Sequence, residues 1–560
     1  MRVIGISPSH DASVSVINNG VLEYFFKEER FTKRKRDNFP YLSLMEAHKL
    51  LDGAKVDTCV IASPCTQDGW MNSVILFANK LFRCPIRTMG DTHHLQHASL
   101  AFENSNYDKA LVFVVDRNGS IIDELMRESE TVFVATKKPY NFDVIYQNFW
   151  AFNLGQDRSD LIHQSINRLK EKNPNANYTC RSCFNITKVY ESATTLISQD
   201  ALENGKTMGL SSYGVDIGHP NLFLDNTIPI DTYFAHIKKD FSEEPASVVN
   251  IDLDIHTTPE VTTDNYHLYA NYAYAVQQQT QREVCKLIQK YVDETGITNV
   301  VVTGGYGLNI VSNSYYIENN PNVQFYFEPL ADDSGNSIGA ALHTYKNLSG
   351  DDNSYPLNDT FYHGIHHDLS NVVGPTVTVE DVAHILLQQQ SVAVYYGLSE
   401  SGPRALGHRS ILFDATNPNA KDIVNQIKKR EWYRPFAAVC LEEDANKYFD
   451  MIGLSGNKYM TNSFRVREEY RDILSGVVHV DGTCRVQTIN QDSILYDLVC
   501  MVKAKNNTGI LLNTSFNLAG QPLVETPQDA IKTLDNSCLD HIWFPEKNTL
   551  ITRFWESRES

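Results

Sequence analysis

Residues 400–410 read Glu-Ser-Gly-Pro-Arg-Ala-Leu-Gly-His-Arg-Ser, and the interpretation of the chain starts from this stretch. It follows the run 391–397, Ser-Val-Ala-Val-Tyr-Tyr-Gly, whose apolar character predicts a buried strand. Glycine and proline then predict a turn. Arg404 would therefore lie at a strand end, where a guanidinium can face a phosphate or carboxylate without crossing the core. A single arginine here could equally form a surface ion pair, but the basic residues of this window together indicate an anion site.

Three further polar motifs extend this expectation. Residues 428–435 read Lys-Lys-Arg-Glu-Trp-Tyr-Arg-Pro, residues 479–488 read His-Val-Asp-Gly-Thr-Cys-Arg-Val-Gln-Thr, and residues 511–520 read Leu-Leu-Asn-Thr-Ser-Phe-Asn-Leu-Ala-Gly. Amides and hydroxyls at strand ends would complete a cradle for a phosphate and a carbonyl group. Asparagine-rich turns are the structural alternative, and their recurrence beside arginine-bearing strands makes it less favoured.

Length and composition limit the class of protein. A chain of 560 residues predicts two large domains. Its 42% hydrophobic and 21% charged content is typical of a globular protein. The net charge of −19 argues against a broad nucleic-acid surface but allows a local groove. The start enters strand-like sequence without a signal peptide, and no apolar run approaches transmembrane length, so a cytoplasmic protein with no membrane partner is expected.

The ten cysteines are scattered, which predicts reduced thiols. Cys180 and Cys183 form the one close pair. A lone pair without a second one at metal-ligand spacing is more often incidental than a zinc or redox site.

The N-terminal segment predicts a β-hairpin. Residues 12–17 alternate, 18–20 (Asn-Asn-Gly) turn, and 21–26 return as a second strand. The loop 7–11 before it contains His10 and Asp11, and nucleotide-binding proteins of the actin and sugar-kinase superfold begin in this way. The basic run 33–36 is a solvated face for at least three of its four residues.

Two histidines and two aspartates suggest a metal site. His93 and His97 are four residues apart and share one face of a predicted helix. The zincin motif requires glutamate where this chain has His94, so a metalloprotease is disfavoured. Asp116 follows an apolar strand, and Asp333 precedes a helix start of small residues. Such ligands suit Fe, Mn or Zn. The alternatives are a chance pair of surface histidines and aspartates that only form turns or helix caps.

A predicted strand at 300–303 runs into glycines at Gly304 and Gly305, followed by Asn309. Backbone N–H groups in such a turn can approach a nucleotide closely. The spacing is that of neither a Walker loop nor a dinucleotide fingerprint, so contact with adenine or ribose is the hypothesis.

The stretch from 140 to 190 is aromatic and locally basic, with Trp150 and Arg168 as examples. Aromatic faces beside cations bind bases or sugars, so this stretch could be an acceptor-binding insertion. Satellite packing of a long insertion is the alternative. Residues 347–360 are polar and turn-rich, which predicts an interdomain linker.

Taken together, residues 402–410, 479–483 and 513–517 resemble the O-carbamoyltransferase family of nodulation, cephamycin, geldanamycin and tobramycin carbamoyltransferases. The resemblance covers nearly the whole chain and implies an α/β protein. It implies an N-terminal actin/sugar-kinase-like (ASKHA) duplicated domain at 1–346, with an insertion at about 138–200, which is similar to the tRNA threonylcarbamoyl-transferase. A linker at 347–375 and a C-terminal YrdC-like α/β domain at 376–560 would follow.

The family resemblance also implies a two-step reaction. The C-terminal domain would convert carbamoyl phosphate and ATP, with Mg²⁺, into carbamoyl adenylate, and the N-terminal domain would transfer the carbamoyl group to an acceptor hydroxyl. The residues implied to bind carbamoyl phosphate are Arg404, Lys428, Arg434, Arg485, Asn513, Ser515 and Asn517. Those implied to bind the metal, by resemblance Fe²⁺ with Mn²⁺ or Zn²⁺ as alternatives, are His93, His97, Asp116 and Asp333. The implied catalytic residues are Lys35, at the intermediate, and His10 and Asp11, at the acceptor.

One position departs from the family pattern, because Arg117 follows Asp116 where the family usually has glycine. The local phosphate turn is therefore less certain than the aspartate itself. The acceptor stays open between a 5-hydroxymethyl pyrimidine of a nucleotide or DNA, which we favour slightly, and a sugar hydroxyl. The alternative functions are an actin-superfold nucleotide-binding protein without transfer activity and a tRNA threonylcarbamoylation enzyme. A homodimer is the assembly to test.

Overall fold

A computed structural model describes residues 1–63, 69–90, 92–151, 159–181, 185–198, 200–219, 221–223, 261–357 and 361–553. The chain forms two compact units. The first contains residues 1–9, 15–23 and 51–356, and the second contains residues 10–14, 24–50 and 357–560. The chain therefore passes from the first unit to the second between Pro356 and Leu357, inside the polar stretch from which a linker is predicted. The predicted domain limits themselves stay a prediction.

The first sheet begins at the N-terminus and has the order β3-β2-β1-β4-β5. Its strands are β1 (Arg2–Ser7), β2 (Ser13–Asn18), β3 (Val21–Lys27), β4 (Thr58–Ala62) and β5 (Ile86–Met89). β1, β4 and β5 pair in parallel. The turn between β2 and β3 has positive φ at Asn19 (48°) and Gly20 (85°). This is the two-residue hairpin turn that the Asn-Asn-Gly motif predicts.

The second sheet, also in the first unit, has the order β10-β9-β8-β6-β11-β12, with β7 beside β8. Its strands are β6 (Lys109–Val115), β7 (Ile121–Ile122), β8 (Met126–Lys137), β9 (Tyr140–Ala151), β10 (Asn177–Arg181), β11 (Asn299–Thr303) and β12 (Gln324–Phe327). β6, β11 and β12 are parallel, whereas β8 runs antiparallel to both β6 and β9. The stretch that begins at Tyr140 thus opens as a strand paired along its length with β8.

The third sheet lies in the second unit and has the order β16-β17-β18-β15-β19-β14-β13-β20-β21. Its strands are β13 (Val392–Tyr395), β14 (Arg409–Asp414), β15 (Ala437–Leu441), β16 (Phe449–Asp450), β17 (Ser463–Val466), β18 (Thr483–Ile489), β19 (Leu511–Ser515), β20 (His541–Phe544) and β21 (Thr549–Thr552). β13 is buried at every position, as its apolar run predicts. Apolar clusters cover both faces of this sheet.

The helices are α1 (Glu28–Thr32), α2 (Tyr41–Leu51), α3 (Gly69–Phe82), α4 (His93–Asn104), α5 (Ser159–Lys172), α6 (Ile186–Ser198), α7 (Asn204–Ser211), α8 (Tyr266–Thr295), α9 (Ile310–Asn319), α10 (Asn336–Ser349), α11 (Val379–Leu387), α12 (Ala420–Lys428), α13 (Glu442–Tyr448), α14 (Tyr496–Asn506) and α15 (Pro527–Asp535). Over the described residues, no helix combines the length and the apolar character needed to cross a membrane. The α/β fold class predicted from the sequence is confirmed.

Close packing of α10 determines the geometry of the first unit. A Cβ atom on Gly339 would lie 1.9 Å from the carbonyl oxygen of Gln96, so α10 meets the backbone of α4 directly. A Cβ atom on Gly5 of β1 would lie 1.8 Å from the carbonyl oxygen of Ser337. Because no side chain fits at either point, these glycines fix α10 against α4 and β1.

Candidate metal centre and anion-binding site

The four side chains predicted to bind a metal converge in the first unit. His93 and His97 lie one turn apart on α4. Asp116 directly follows β6, and Asp333 begins a 3-10 turn just before α10. One potential ligand atom of each residue lies within 4.8 Å of the other three. Both histidines and Asp116 are buried, and Asp333 is half-buried, so the four together have the spacing and shielding of a single-ion site.

The four side chains approach one another so closely that a proton or a metal ion must lie among their ring nitrogens and carboxylate oxygens. His93 Nε2 lies 3.3 Å from His97 Nε2, 3.2 Å from Asp116 Oδ2 and 3.5 Å from Asp333 Oδ1. His97 Nε2 lies 3.4 Å from the same Asp333 oxygen. These are four acceptor atoms unless a proton or a metal ion lies among them. The donor set of two imidazoles and two carboxylates fits a borderline divalent cation.

The pKa values of the cluster agree with this interpretation. Burial alone would lower the pKa of His93, but the charges and hydrogen bonds of Asp333 and Asp116 outweigh it and raise that pKa to about 10. Burial likewise opposes ionisation of Asp116, yet the hydrogen bond from His93 holds its pKa below the ordinary value. The Asp116 carboxylate thus stays charged and would stabilise a cation at the centre.

Backbone and amide groups hold the ligands in place. The N–H of Gly305 donates to Asp116 Oδ1 at 3.0 Å, and the N–H of His93 donates to Ser120 Oγ at 2.9 Å. Asn336 Nδ2 lies 3.2 Å from His97 Nε2. The sequence interpretation missed Ser120 and Asn336. Their positions after β6 and at the start of α10, each beside a predicted ligand, were the available signal.

The glycines proposed for nucleotide contact lie against the metal centre. Gly304 has φ of 83°, and a Cβ atom there would lie 2.5 Å from the carbonyl oxygen of Val115, so this position needs glycine. The N–H of Gly305 donates to Asp116 Oδ1, as described above. Asn309 is buried, and its side chain accepts the N–H of Ser312 at 3.1 Å as the N-cap of α9. Each residue thus has a structural role, and the proposed nucleotide contact stays a prediction.

The second unit brings together three of the residues predicted to bind carbamoyl phosphate. Lys428 ends α12, and Ser515 ends β19. Lys428 Nζ donates to Ser515 Oγ at 3.0 Å and to Asn517 Oδ1 at 2.6 Å, and Ser515 Oγ donates to Asn517 Oδ1 at 2.7 Å. Asn517 faces the other two residues with its oxygen, because its Nδ2 donates to the carbonyl oxygen of Gln521 at 2.6 Å. The ammonium of Lys428 and the hydroxyl of Ser515 are therefore the groups here that can donate to a phosphate oxygen.

Arg404, Arg434 and Arg485 act electrostatically on one another, and Arg434 also acts on Lys428. Burial lowers the pKa of Arg404 to about 10, with a further contribution from Arg434. Burial also lowers the pKa of Arg485 to about 9, and both Arg404 and Arg434 contribute. The pKa of Lys428 falls well below its ordinary value, because of burial and then of Arg430, Arg434 and Lys35. An anion bound among these buried cations would stabilise their charged forms. We refer to Arg404, Lys428, Arg434 and Arg485 as the cationic cluster.

The segment 400–409 contains two arginines with different roles. Arg409 is held by contacts within the fold, whereas Arg404 belongs to the cationic cluster. Arg409 is fully buried, lies 3.7 Å from the Tyr395 ring centre, and donates to the carbonyl oxygens of Tyr396 and Gly397 at 2.6 and 3.0 Å. Arg404 in contrast is half-buried and interacts with Arg434 and Arg485. Each arginine follows a glycine by two residues in the sequence, and only their contacts in the fold distinguish them.

Glu400 holds this loop in its shape. Its Oε1 accepts the backbone N–H groups of Leu406 at 2.7 Å, His408 at 3.0 Å and Arg409 at 3.1 Å. The side chain is buried, so the carboxylate replaces water for three donors at once. The sequence interpretation missed this role, although a glutamate directly before a Gly-Pro turn is a usable signal.

Asn513 and Arg430 form hydrogen bonds near the cationic cluster that support its surroundings. Asn513, predicted to bind carbamoyl phosphate, is buried and donates to Gln487 Oε1 at 2.7 Å, and Gln487 donates to the carbonyl oxygen of Leu406 at 2.9 Å. Arg430 donates to Asn425 Oδ1 at 2.7 Å and lies 4.2 Å from the Phe436 ring centre. Asn513 therefore supports the loop that holds Arg404, and its direct contact with substrate stays a prediction.

The proposed catalytic residues from the N-terminal segment all belong to the second unit. Lys35 is close enough to Lys428 for its charge to lower the pKa of that lysine. His10 Nε2 lies 3.3 Å from Asp11 Oδ2. The structure thus associates Lys35 with the cationic cluster and pairs His10 with Asp11, whereas their catalytic roles stay predictions.

Cys180 lies on β10, and burial raises its thiol pKa to about 11. A thiol of that kind is neutral and a poor metal ligand at neutral pH. Cys183 lies outside the described residues.

Comparison with known families gives the same two-part division. The family model described as carbamoyltransferase N-terminus matches residues 71–342, and the model described as carbamoyltransferase C-terminus matches residues 383–552. The first match contains all four proposed metal ligands. The second contains the whole cationic cluster.

Curated relatives cover much of the chain. An uncharacterised protein of Methanocaldococcus jannaschii is 26% identical over 95% of this chain and 96% of its own length. Nodulation protein NolO of Bradyrhizobium diazoefficiens is 27% identical over 80% of this chain and 76% of its own. Nodulation protein U of Rhizobium tropici is 34% identical over 47% of this chain and 45% of its own.

Solved structures show weaker similarity. The T. kodakarensis HypF structure matches with a TM-score of 0.39 and 13% identity, over 62% of this chain and 48% of that one. An activator of 2-hydroxyisocaproyl-CoA dehydratase from Clostridium difficile matches with a TM-score of 0.33 and 10% identity, over 62% of this chain and 96% of that one. At such TM-scores these likenesses carry no functional argument.

Proposed function

Because this chain belongs to the carbamoyltransferase family, we propose that it is an ATP-dependent O-carbamoyltransferase that works in two steps. In the first step, carbamoyl phosphate, ATP and water give carbamoyl adenylate, pyrophosphate and phosphate. In the second, an acceptor hydroxyl takes the carbamoyl group and AMP leaves. The favoured acceptor is a 5-hydroxymethyl pyrimidine of a nucleotide or DNA, and a sugar hydroxyl is the alternative.

The observation that carries this proposal is the cationic cluster of the second unit. Burial and the neighbouring arginines lower the pKa values of Arg404 and Arg485, and a bound anion would offset both effects. Lys428, Ser515 and Asn517 would bind the phosphate of carbamoyl phosphate, with the Lys428 ammonium and the Ser515 hydroxyl turning from Asn517 Oδ1 to the phosphate oxygens. Lys35 would add a further positive charge where the adenylate forms.

The transfer step would use the groups of the metal centre. His93, His97, Asp116 and Asp333 would hold the cation, with iron favoured over manganese or zinc. A bound divalent cation would polarise the carbamoyl carbonyl and offset the charge of the leaving phosphate. His10, paired with Asp11, would accept the proton of the acceptor hydroxyl.

The test is a transfer assay with carbamoyl phosphate, ATP, Mg²⁺ and Fe²⁺, followed by mass spectrometry of the acceptors. The panel contains hydroxymethylcytosine DNA, free nucleosides, aminoglycosides and chitooligosaccharides. A mass gain of one carbamoyl group on any acceptor supports the proposal. Arg404→Met should abolish the product, while Arg467→Met, which changes an exposed arginine of the same unit, should not.

Two alternatives give different results in the same assay. A nucleotide-binding protein without transfer activity would give neither carbamoyl adenylate nor a carbamoylated acceptor, and Arg404→Met would leave its nucleotide affinity unchanged. A tRNA threonylcarbamoylation enzyme would release pyrophosphate only when threonine and bicarbonate replace carbamoyl phosphate.

A further inference from the structure

Two cysteine thiols approach each other near the edge of the first sheet. Cys59 lies on β4, and Cys84 lies between the end of α3 and the start of β5. Their Sγ atoms are 3.5 Å apart, although 25 residues separate them in the sequence. Both cysteines belong to the first unit and both are free thiols. The sequence interpretation treats the cysteines as scattered, so the fold brings together a pair that spacing did not indicate.

The backbone around the two cysteines holds them beside each other. The N–H of Cys59 donates to the carbonyl oxygen of Pro85 at 3.0 Å, and Thr58 Oγ1 donates to the same oxygen at 2.9 Å. Cys59 is opposite Ile86 in the register of β4 and β5. Because Pro85 directly follows Cys84, the contact between the thiols follows from the pairing of these two strands.

The two thiols differ in their exposure to solvent. Cys59 is fully buried. Cys84 is half-buried and stands between Arg83 and Pro85, which are both exposed. A small solute therefore reaches the sulfur of Cys84 first, and Cys59 lies behind it.

The two thiols also differ in acidity. The hydrogen bond from Cys59 lowers the pKa of Cys84, although burial and the charge of Asp57 oppose this change. The same hydrogen bond, together with burial, raises the pKa of Cys59 well above its ordinary value. The thiolate is the nucleophilic form of cysteine, and at this pair it forms more readily on the sulfur that solvent reaches.

Two thiols of the second unit provide a contrast. Cys484 contributes to the raised pKa of Cys440, so these two side chains are also neighbours. Both are buried, however, and burial raises the pKa of each. Neither of them offers a thiolate to a solute. Cys59 and Cys84 thus combine proximity with access and with a nucleophilic sulfur, which Cys440 and Cys484 do not.

We propose that Cys59 and Cys84 form an oxidation site at which a hydroperoxide converts the two thiols into a reversible disulfide between β4 and the α3–β5 junction. The Cys84 thiolate would attack one peroxide oxygen, the O–O bond would break, and hydroxide would leave, so that Cys84 becomes a sulfenic acid. The Cys59 sulfur would then attack the Cys84 sulfur, the S–O bond would break, and the Cys59 proton would leave with that oxygen as water. In total, two thiols and one hydrogen peroxide give one disulfide and two waters.

Bond formation requires only a short movement. A disulfide has an S–S distance of about 2.05 Å, so the two sulfur atoms must approach by about 1.5 Å. β4 is paired with β1 on one side and β5 on the other. Cys84 lies outside the helices and strands, so the junction can supply this movement more readily than β4. A thiol reductant would reopen the bond by exchange.

The test is peptide mapping of the full-length protein after treatment with hydrogen peroxide under native conditions. Trypsin cleaves after lysine and arginine, so the peptide 84–87 contains Cys84 alone, whereas the peptide 56–80 contains both Cys59 and Cys65. The Cys65→Ser protein therefore makes the assignment unambiguous. We expect peptide 56–80 linked to peptide 84–87, with a mass about 2 Da below the sum of the two reduced peptides. Dithiothreitol should restore both free thiols.

Variants test the role of each sulfur. Cys59→Ala should leave Cys84 as a sulfenic acid that dimedone labels, whereas Cys84→Ser should leave Cys59 unmodified. Cys538→Ser removes an exposed cysteine of the second unit and should keep the linked peptides. Dimedone labelling of Cys59 in Cys84→Ser would contradict the assignment of Cys84 as the attacking thiol.

Three results of the mapping would overturn the proposal. The first is the absence of linked peptides at a peroxide concentration that oxidises Cys538. The second is linkage that occurs in urea-unfolded protein and not in native protein, because the fold would then not direct the reaction. The third is linkage in wild type that disappears in Cys65→Ser, because Cys84 would then pair with Cys65. Oxidation at this pair does not depend on carbamoyl transfer, so these results leave the proposed function untouched.

Discussion

The metal centre and the cationic cluster are both charged sites, but they are built in opposite ways. The metal centre has two carboxylates whose charge raises the pKa of His93, and it becomes stable when a cation is bound. The cationic cluster has arginines and a lysine whose pKa values are lowered by burial and by neighbouring cations, and a bound anion would stabilise it. In the ligand-free protein, each site thus holds like charges close together, which is unfavourable. A ligand of the opposite charge would relieve this repulsion, so each site favours one sign of charge.

The largest effect is expected when the ammonium of Lys428 is removed from the cationic cluster. Lys428→Met should lower the rate of carbamoyl adenylate formation by about 10²–10³-fold, because the lysine supplies donors to the phosphate group. Release of pyrophosphate measures this rate. Lys429→Met changes the neighbouring, exposed lysine and should have little effect. Equal rates in both variants would contradict the assignment of Lys428.

A metal ligand should matter more for binding of the ion than for the first reaction step. His97→Ala removes one of four ligands and leaves Asp333 with one of its two imidazole neighbours, so affinity for Fe²⁺ or Mn²⁺ should fall at least about 100-fold. In the wild type, metal at 100 times its Kd should stabilise the folded protein by about 2.7 kcal/mol. The variant should lose this gain at the same metal concentration.

Thermal unfolding with and without metal provides the measurement. His163→Ala, at an exposed position of α5, is the control and should keep the metal-dependent gain. Adenylate formation should be unchanged in His97→Ala, because the first step depends on the other unit. If His97→Ala lost adenylate formation as strongly as Lys428→Met, the assignment of one step to each site would be wrong.

The two sites also differ in how well the sequence predicts them. The spacing of His93 and His97 on one helix face predicts their proximity, and Asp116 is predicted at the end of a strand. Asp333 lies far along the chain from these three, so its place in the set depends on the family resemblance until the fold joins them. Short-range periodicity therefore predicts strands and helices well. That Asp333 lies beside the other three ligands follows only from the packing of α10 on α4.

The roles of individual polar residues were harder to predict. Arg404 and Arg409 have similar sequence contexts. Arg409, however, donates to backbone carbonyl oxygens and packs on the Tyr395 ring. Asn309 and Asn513 were also predicted to contact ligands. Asn309 caps α9 and Asn513 lies within β19, and the side chain of each forms hydrogen bonds inside the protein. Sequence indicates that a polar group lies near a site, but its partners across the fold decide whether it faces a ligand.

The packing of α10 allows the metal centre to be perturbed without touching a ligand. Gly339→Ala would place a Cβ atom 1.9 Å from the carbonyl oxygen of Gln96, which lies between the two histidines on α4. Overpacking of this kind costs about 1–3 kcal/mol. Separation of α10 from α4 should also move Asp333 away from His97 and weaken metal affinity by about tenfold.

This effect is measured by chemical unfolding and metal titration, with Ser349→Ala at the end of the same helix as the control. Adenylate formation should again be unaffected. A variant that is less stable but binds metal as tightly as wild type would show that the close helix contact supports folding alone and not the arrangement of ligands.

The smallest expected effect concerns the loop that holds Arg404. Glu400→Gln keeps an oxygen that accepts the three backbone N–H groups but removes the negative charge, and hydrogen bonds to charged groups are stronger by about 1 kcal/mol. The KM for carbamoyl phosphate should rise about fivefold with little change in kcat, because the loop would hold Arg404 less firmly in its binding position. Glu443→Gln, at an exposed position, is the control. An unchanged KM together with lower thermal stability would limit Glu400 to folding, and the cationic cluster would then keep its geometry without this carboxylate.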